Sequence, residues 1–283
     1  MKVAGLSVHQ IFYDDATRSK LDPGFLPLNN TANERPDWYE LWPIRKFLHN
    51  AVFEEGAWYG FLSTSFRAKT GLTATHVFDI VSKVGAQSDV VLFSPGWDQI
   101  AYFRNVFEQG DIFHPGLAEV SQRFLTHLGV DLDLGELVTH SLSSVFSNYV
   151  VARGAYWRRW LDLADALFDY AEGVGADHLA NGTRYRGGRG VHMKAFVQER
   201  LSAVVLARDD FRVFAHDLSA TAPIGLFHDG LKTRLQLRRC DELKRLYCRT
   251  SEKSDLENYY ALRAAVPLAR AVPGLNAPRS TVT

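Results

Sequence analysis

Several features are scarce in this 283-residue chain. Only two cysteines occur, Cys240 and Cys248, with neither a CxxC pair nor a Cys/His cluster. That argues against a disulfide scaffold and against a structural zinc site. Net charge is also missing, with 32 Lys and Arg against 32 Asp and Glu. A general nucleic-acid binder depends on excess positive charge to neutralise phosphates, so nucleic acid is not an expected partner. Local basic sites for a small phosphate remain open. Nowhere do about 18 apolar residues run together, as a membrane-spanning helix requires. The N-terminal stretch MKVAGLSVHQIFYDD has one Lys and a short apolar run broken by His9 and Gln10, which reads as a first strand and not as a signal peptide. A cytoplasmic protein is expected, with peripheral contact at the inner face of a membrane left open. The familiar nucleotide and hydrolase signatures are absent too: no GxxxxGK loop, no GxGxxG after the first strand, no GxSxG and no HExxH.

What is present is ordinary globular material. Hydrophobic residues make up 46% of the chain, enough to bury a core in one large domain or two small ones. Strand-like runs occur at Lys2 to Tyr13, Trp58 to Leu62, Asp89 to Phe93, Val145 to Arg153 and Phe211 to Phe214. Between them lie helical patterns: one starting near Leu41 or Trp42, then Thr73 to Val84, Gln99 to Gln109, Gly116 to Leu128, Ala155 to Tyr170 and Ala195 to Ala207. Residues 21 to 37, with three prolines and no periodicity, read as a long loop, and so does the Gly- and Arg-rich segment 181 to 191. From Gly230 to about Val266 the chain is basic and helical, and from Pro267 it reads as a frayed tail. Strands alternating with helices predict an α/β fold with a mostly parallel sheet, whose ligands bind beyond the carboxyl ends of the strands.

Candidate chemistry is thinly marked. Gly187-Gly188-Arg189-Gly190 could cradle a phosphate or be a surface loop. Asp131-Leu132-Asp133 has the spacing of a cation-binding pair, but its flanks read as a turn before a helix cap. Asp98, after the third strand, could serve a ribose hydroxyl or cap a helix. The aromatic cluster Trp38, Tyr39, Trp42, Trp58 and Tyr59 could stack a sugar, although a core role is the expectation for most of it. The ten histidines are scattered, and no elbow-like Ser supports a triad.

The segments RPDWYELWPIRKFL (35 to 48), YGFLSTSFRAKTGL (59 to 72), DVVLFSP (89 to 95), SNYVVARGAYWRRWL (147 to 161) and MKAFVQERLSAVVL (193 to 206), in that order, resemble bacterial glycosyltransferases of polysaccharide biosynthesis clusters. The resemblance covers residues 1 to 230. It implies a GT-A type, Rossmann-like fold, with a nucleotide-sugar half over about residues 1 to 130 and an acceptor half over 131 to 230. Residues 231 to 283 would form a basic helical extension and tail. The implied activity is transfer of a sugar from a nucleotide-diphosphate donor to a glycan or lipid-linked acceptor. The order Gly187-Gly188-Arg189-Gly190, Gln198-Glu199, His216 then implies Glu199 as catalytic base and His216 as ligand of a Mn or Mg ion. Gln10, Tyr13 and Asp14 would meet the donor nucleotide, with Asp98 and Arg189 beside it, and Asn148 and Trp42 would hold the acceptor. One departure stands out. The strand end where the family carries Asp-x-Asp reads Ser63-Thr64-Ser65, which leaves the metal and His216 in question and gives the diphosphate charge to Arg45, Arg67 and Lys69. A non-catalytic nucleotide- or carbohydrate-binding protein on the same scaffold is the alternative, and a hydrolase or phosphotransferase is a more distant one.

Overall fold

The computed structural model describes residues 5–50, 52, 54, 56–173, 179, 182–185 and 189–269. Its centre is a six-stranded sheet in the order β2-β1-β3-β5-β4-β8. The strands are β1 (Leu6–Phe12), β2 (Leu26–Asn29), β3 (Trp58–Ser63), β4 (Val90–Leu92), β5 (Val150–Arg153) and β8 (Val213–Ala215). Pairs β1–β2, β1–β3 and β4–β8 are parallel, whereas β5 lies antiparallel between β3 and β4. The sheet is therefore mixed, a correction to the mostly parallel sheet expected from the alternation of strands and helices. The antiparallel strand has a consequence for function: the loop entering β5 lies at the same edge as the carboxyl ends of β3 and β4.

Alternation along the strands builds two core layers. Val90, Leu92, Val150 and Ala152 face a large cluster with Trp157, Trp160, Phe124 and Val204. Their neighbours Val91, Phe93, Tyr149 and Val151 face a smaller one with Phe66, Val77 and Val81. The larger layer is covered by α2 (Leu41–Asn50), α7 (Leu117–His127), α8 (Gly154–Glu172), α9 (Lys194–Gln198) and α10 (Leu201–Arg208); the smaller by α3 (Phe66–Thr70) and α4 (Ala74–Val84). Gly60 in mid-β3 is required by this packing, because a Cβ there would come within 2.8 Å of Val151 Cγ2 and 3.1 Å of Val8 Cγ1. Trp38 and Trp58 are core residues, as the bland reading of the aromatic cluster held.

Several boundaries differ from the sequence reading. The 21 to 37 loop contains β2, whose mainly exposed residues and Pro27 suit an edge strand and give no alternating signal. The segment 181 to 191 is a hairpin of β6 (Gly182–Tyr185) and β7 (Arg189–His192). The expected helix from 99 to 109 is two helices, α5 (Trp97–Tyr102) and α6 (Val106–Phe113), because Asn105 Oδ1 accepts from the Phe107 and Glu108 amides and starts a new cap. The C-terminal stretch forms α11 (Leu231–Thr250) and α12 (Lys253–Ala264), with α1 (Asp15–Arg18) the first helix of the chain.

The C-terminal helices are bonded into the body. Lys244 on α11 is fully buried and donates to the Phe103 and Ile100 carbonyls, 2.6 and 2.5 Å away, at the end of α5. Arg263 pairs with Glu108 at 3.0 Å, and the Tyr259 hydroxyl donates to the Tyr102 carbonyl at 2.6 Å. Much of the basic stretch is thus internally engaged, including Arg234 with Asp229 and Arg239 with Glu242. Among the described residues, no helix is long and apolar enough to cross a membrane.

Candidate functional site

A crevice of about 500 Å³ opens at the carboxyl edge of the sheet. Three loops and one helix break shape it. Pro95 and Gly96 follow β4, Phe146 and Ser147 precede β5, Tyr39 and Glu40 precede α2, and Gln198 and Glu199 stand at the break between α9 and α10. Gly96, with φ of 73°, makes the turn into α5 that a residue with a Cβ takes only with strain. Lys69 reaches in from α3.

The groups here are mutually connected. Tyr13 Oη donates to Glu40 at 3.2 Å, and burial together with the Glu40 charge raises the phenol pKa. The Ser63 and Tyr149 hydroxyls are 2.7 Å apart. Lys69 Nζ donates to Ser147 Oγ at 2.9 Å and sits 5.5 Å from the centre of the Tyr149 ring. Arg200 lies in the wall, donating to the Val106 and Phe196 carbonyls and to Gln109 Oε1 at 2.7–2.9 Å. Burial lowers that guanidinium to about 10. The His114 ring stacks on Phe196 at 3.6 Å and is lowered to about 4, by burial first and by Arg200 second.

Glu199 is the distinctive group. Its side chain is 44% exposed at the crevice, and its guanidinium neighbour Arg200 is 3.7 Å away. Desolvation raises its pKa above the ordinary glutamate value; Arg200 and Lys69 oppose the shift and Glu40 adds to it. A carboxyl so placed, with its face open to the crevice, can take a proton from a bound hydroxyl. The helical pattern expected over Ala195 to Ala207 is broken at Glu199. That residue caps the end of α9 and stands one residue before Arg200, the N-cap of α10.

Backbone strain gathers at the same place. Five described non-glycine residues have positive φ, and three of them, Tyr39, Ser147 and Asn148, are in the loops that form the crevice. Tyr39 is the most unusual, at φ 44° and ψ −129°. Such conformations cost on the order of 1–3 kcal/mol and persist only where the surroundings fix them.

Other expected site residues are engaged elsewhere. Gln10 is buried; its amide donates to the Ser63 carbonyl and accepts from the Asp22 amide, tying β1 to its neighbours, so it does not meet a nucleotide. Asp14 caps α1, accepting from the Thr17 amide and hydroxyl, which lower its pKa. Asp98 is 1% exposed and accepts from the Gly225 and Leu226 amides; burial raises its pKa. It fastens the 225–226 loop and offers nothing to a ribose. Arg45 pairs with Asp165 and lies 4.4 Å from the Phe168 ring centre, facing α8. Trp42 donates to Glu34 at 3.0 Å and packs on Phe168, also outside the crevice. Arg67 is exposed on α3 and not part of the lining. Asn148 is 5% exposed and precedes β5, where it accepts from Ser202 Oγ at 3.2 Å; it supports the loop from below. Arg189 begins β7, but its side chain and residues 186–188 lie outside the described residues. Asp133 accepts from the Gly135 amide, the turn reading of Asp131-x-Asp133.

His216 lines a second pocket, of about 310 Å³, with Trp97, Ser141, Arg238, Asp241 and Arg245. This pocket shares no lining residue with the crevice, so His216 and Glu199 do not converge. Among the described residues, no group of three or more His, Cys, Asp or Glu side chains is arranged to hold a metal ion. Glu40 and Glu199 are the two carboxylates of the crevice lining, and a cation that arrives with a diphosphate takes one or two carboxylates from the protein. Glu40 and Ser147 were missed by sequence reasoning, since each joins the crevice only through its loop's position; Tyr39 stood in the aromatic cluster offered for sugar stacking, and Gln198 beside Glu199. No protein-family model matches the chain, and neither a curated protein nor a solved structure gives a significant match.

Proposed function

We propose that this protein is a glycosyltransferase that moves a sugar from a nucleotide-diphosphate donor onto a hydroxyl of a glycan or lipid-linked acceptor, as in surface polysaccharide synthesis. The observation that carries the reading is Glu199: a carboxyl of raised pKa, open to a crevice at the carboxyl edge of an α/β sheet, with Lys69 nearby. The lining supports a sugar substrate. It mixes aromatic rings with amide and carboxylate groups, the combination that meets both the C–H face and the hydroxyls of a pyranose.

In this mechanism the acceptor hydroxyl attacks the anomeric carbon of the donor. The bond from that carbon to the diphosphate oxygen breaks, and its electron pair leaves with the nucleoside diphosphate. Glu199 takes the acceptor proton. Lys69, fixed by Ser147, offsets negative charge growing on the leaving group.

A non-catalytic nucleotide- or carbohydrate-binding protein is a second reading. The engagement of Gln10, Asp14, Arg45 and Asp98 in structural contacts favours it, since four expected donor-binding groups are occupied. Incubation with UDP-, GDP- and dTDP-sugars, with and without manganese, separates the two. A transferase releases nucleoside diphosphate slowly even without acceptor, and a thermal shift without any release favours the binder.

A further inference from the structure

The crevice has a side that the proton-transfer chemistry does not use. Tyr39 is a large aromatic residue that remains 44% exposed while holding a backbone conformation natural only to glycine. Its ring lines the crevice from a loop that carries backbone strain. Beside it in the same lining is Gln198, only 3% exposed, whose Oε1 has no hydrogen-bond donor. Buried amide oxygens are nearly always paired, so an unpaired one in a cavity wall marks a place for a donor from a ligand. Glu40 stands next to Tyr39 and already accepts from Tyr13, leaving carboxylate acceptor capacity toward the cavity.

We propose that Tyr39 is a stacking platform for a pyranose ring of the acceptor, with Gln198 and Glu40 accepting hydrogen bonds from that ring's hydroxyls. This rests on the sugar-transfer reading of the crevice and adds to it where the acceptor sits and which residues select it. A pyranose presents axial C–H bonds on a face and hydroxyl donors around its edge. An exposed phenol ring meets the face, and the Gln198 amide oxygen together with the remaining acceptor capacity of Glu40 meets the edge. The strained backbone aims the ring, which is why tyrosine is held where glycine would be easier.

The test is saturation-transfer NMR with an equimolar mixture of the methyl glycosides of glucose, galactose, mannose and N-acetylglucosamine. The wild-type protein transfers saturation to at least one of them, most strongly to the protons of one ring face. Tyr39→Gly lowers that signal at least tenfold while its melting temperature stays within about 2 °C of wild type or rises, because glycine relieves the positive φ. Tyr39→Trp keeps binding within about threefold, as a stacking role requires. Absence of transfer to all four glycosides, undiminished binding in Tyr39→Gly, or a fall of more than about 5 °C in its melting temperature, which would make the ring a packing residue, overturns the proposal. Glu199→Gln separates the two ideas: sugar binding that survives in that variant together with unchanged turnover would sink the transfer mechanism and leave the platform standing.

Discussion

Two regions of this protein shift an ionisable group by desolvation, and they have opposite characters. In the crevice, Glu199 is raised by desolvation, open on one side, and flanked by strained loops. Under α11, Lys244 is lowered to about 8, also by desolvation, but has no solvent access and donates to two carbonyls that end α5. Both groups have shifted pKa values for the same physical reason. What separates them is whether the group's hydrogen-bonding capacity is already used. A shifted pKa with every partner supplied is architecture; a shifted pKa with an open face is chemistry waiting for a substrate.

The sharpest way to test that contrast is to change Glu199. Glu199→Gln keeps the shape of the crevice and removes the base, so turnover should fall by about 10²- to 10⁴-fold with donor affinity within a few fold. Single-turnover kinetics with a responsive donor would measure this, and unchanged turnover would remove Glu199 from the mechanism. In the wild type, kcat/KM should rise with pH through an inflection above the ordinary glutamate value, because the base must be deprotonated and its pKa is raised.

Acid probes the stability of both regions. His114 in the crevice wall and His9 in the sheet are buried, and each is lowered from 6.5 to about 4. The unfolded chain therefore binds more protons than the native one between pH 6.5 and 4. Stability is complete above about 6.5 and is lost as pH falls toward 4, by about 2 kcal/mol per histidine at pH 5. Denaturant unfolding at pH 7 and pH 5 tests this, and a flat profile would refute it. His140, packed near Asp241 and Lys244 and also lowered to about 4 by burial, adds to the same slope from the other region.

Lys244→Met should be the counterpart of Glu199→Gln. It strips donors from the Ile100 and Phe103 carbonyls and should cost about 2 kcal/mol of stability, with turnover per folded molecule unchanged. A loss of turnover without a loss of stability would break the comparison between the two regions. The smallest effect is expected from Asp98→Asn. The amide keeps an acceptor for Gly225 and Leu226, so about 1 kcal/mol or less is lost, and nucleotide binding is untouched. A large drop in donor affinity there would restore Asp98 to the donor site.

The legibility of the sequence varied with the distance over which its signals act. The 3.6-residue apolar pattern of Trp157, Trp160, Ala164 and Leu167 gave α8, and the run Val90 to Leu92 gave β4, because both patterns are local. β2 was hidden, since four residues on a sheet edge with Pro27 among them carry no alternation. The direction of β5 was hidden as well, because its pairing depends on β3 and β4, both distant in sequence. Among site residues, Glu199 and Lys69 fell in the crevice and Tyr13 beside it. Arg45 and Trp42 did not, for α2 turns that face toward Asp165 and Phe168 on α8.

The sequence by itself determined most of the helices and the inner strands of the sheet, and that charge is balanced overall. These depend on periodicity and composition, which each segment expresses alone. Only the tertiary structure decided which polar groups are still available. Gln10 is tied to Ser63, Arg45 to Asp165 and Lys244 to Ile100, partners 53, 120 and 144 positions away. Burial makes an unpaired polar group costly, so the folded chain engages most of them. Glu199 and the Gln198 carbonyl stand out because the fold brings them to the wall of one crevice ringed by strained loops.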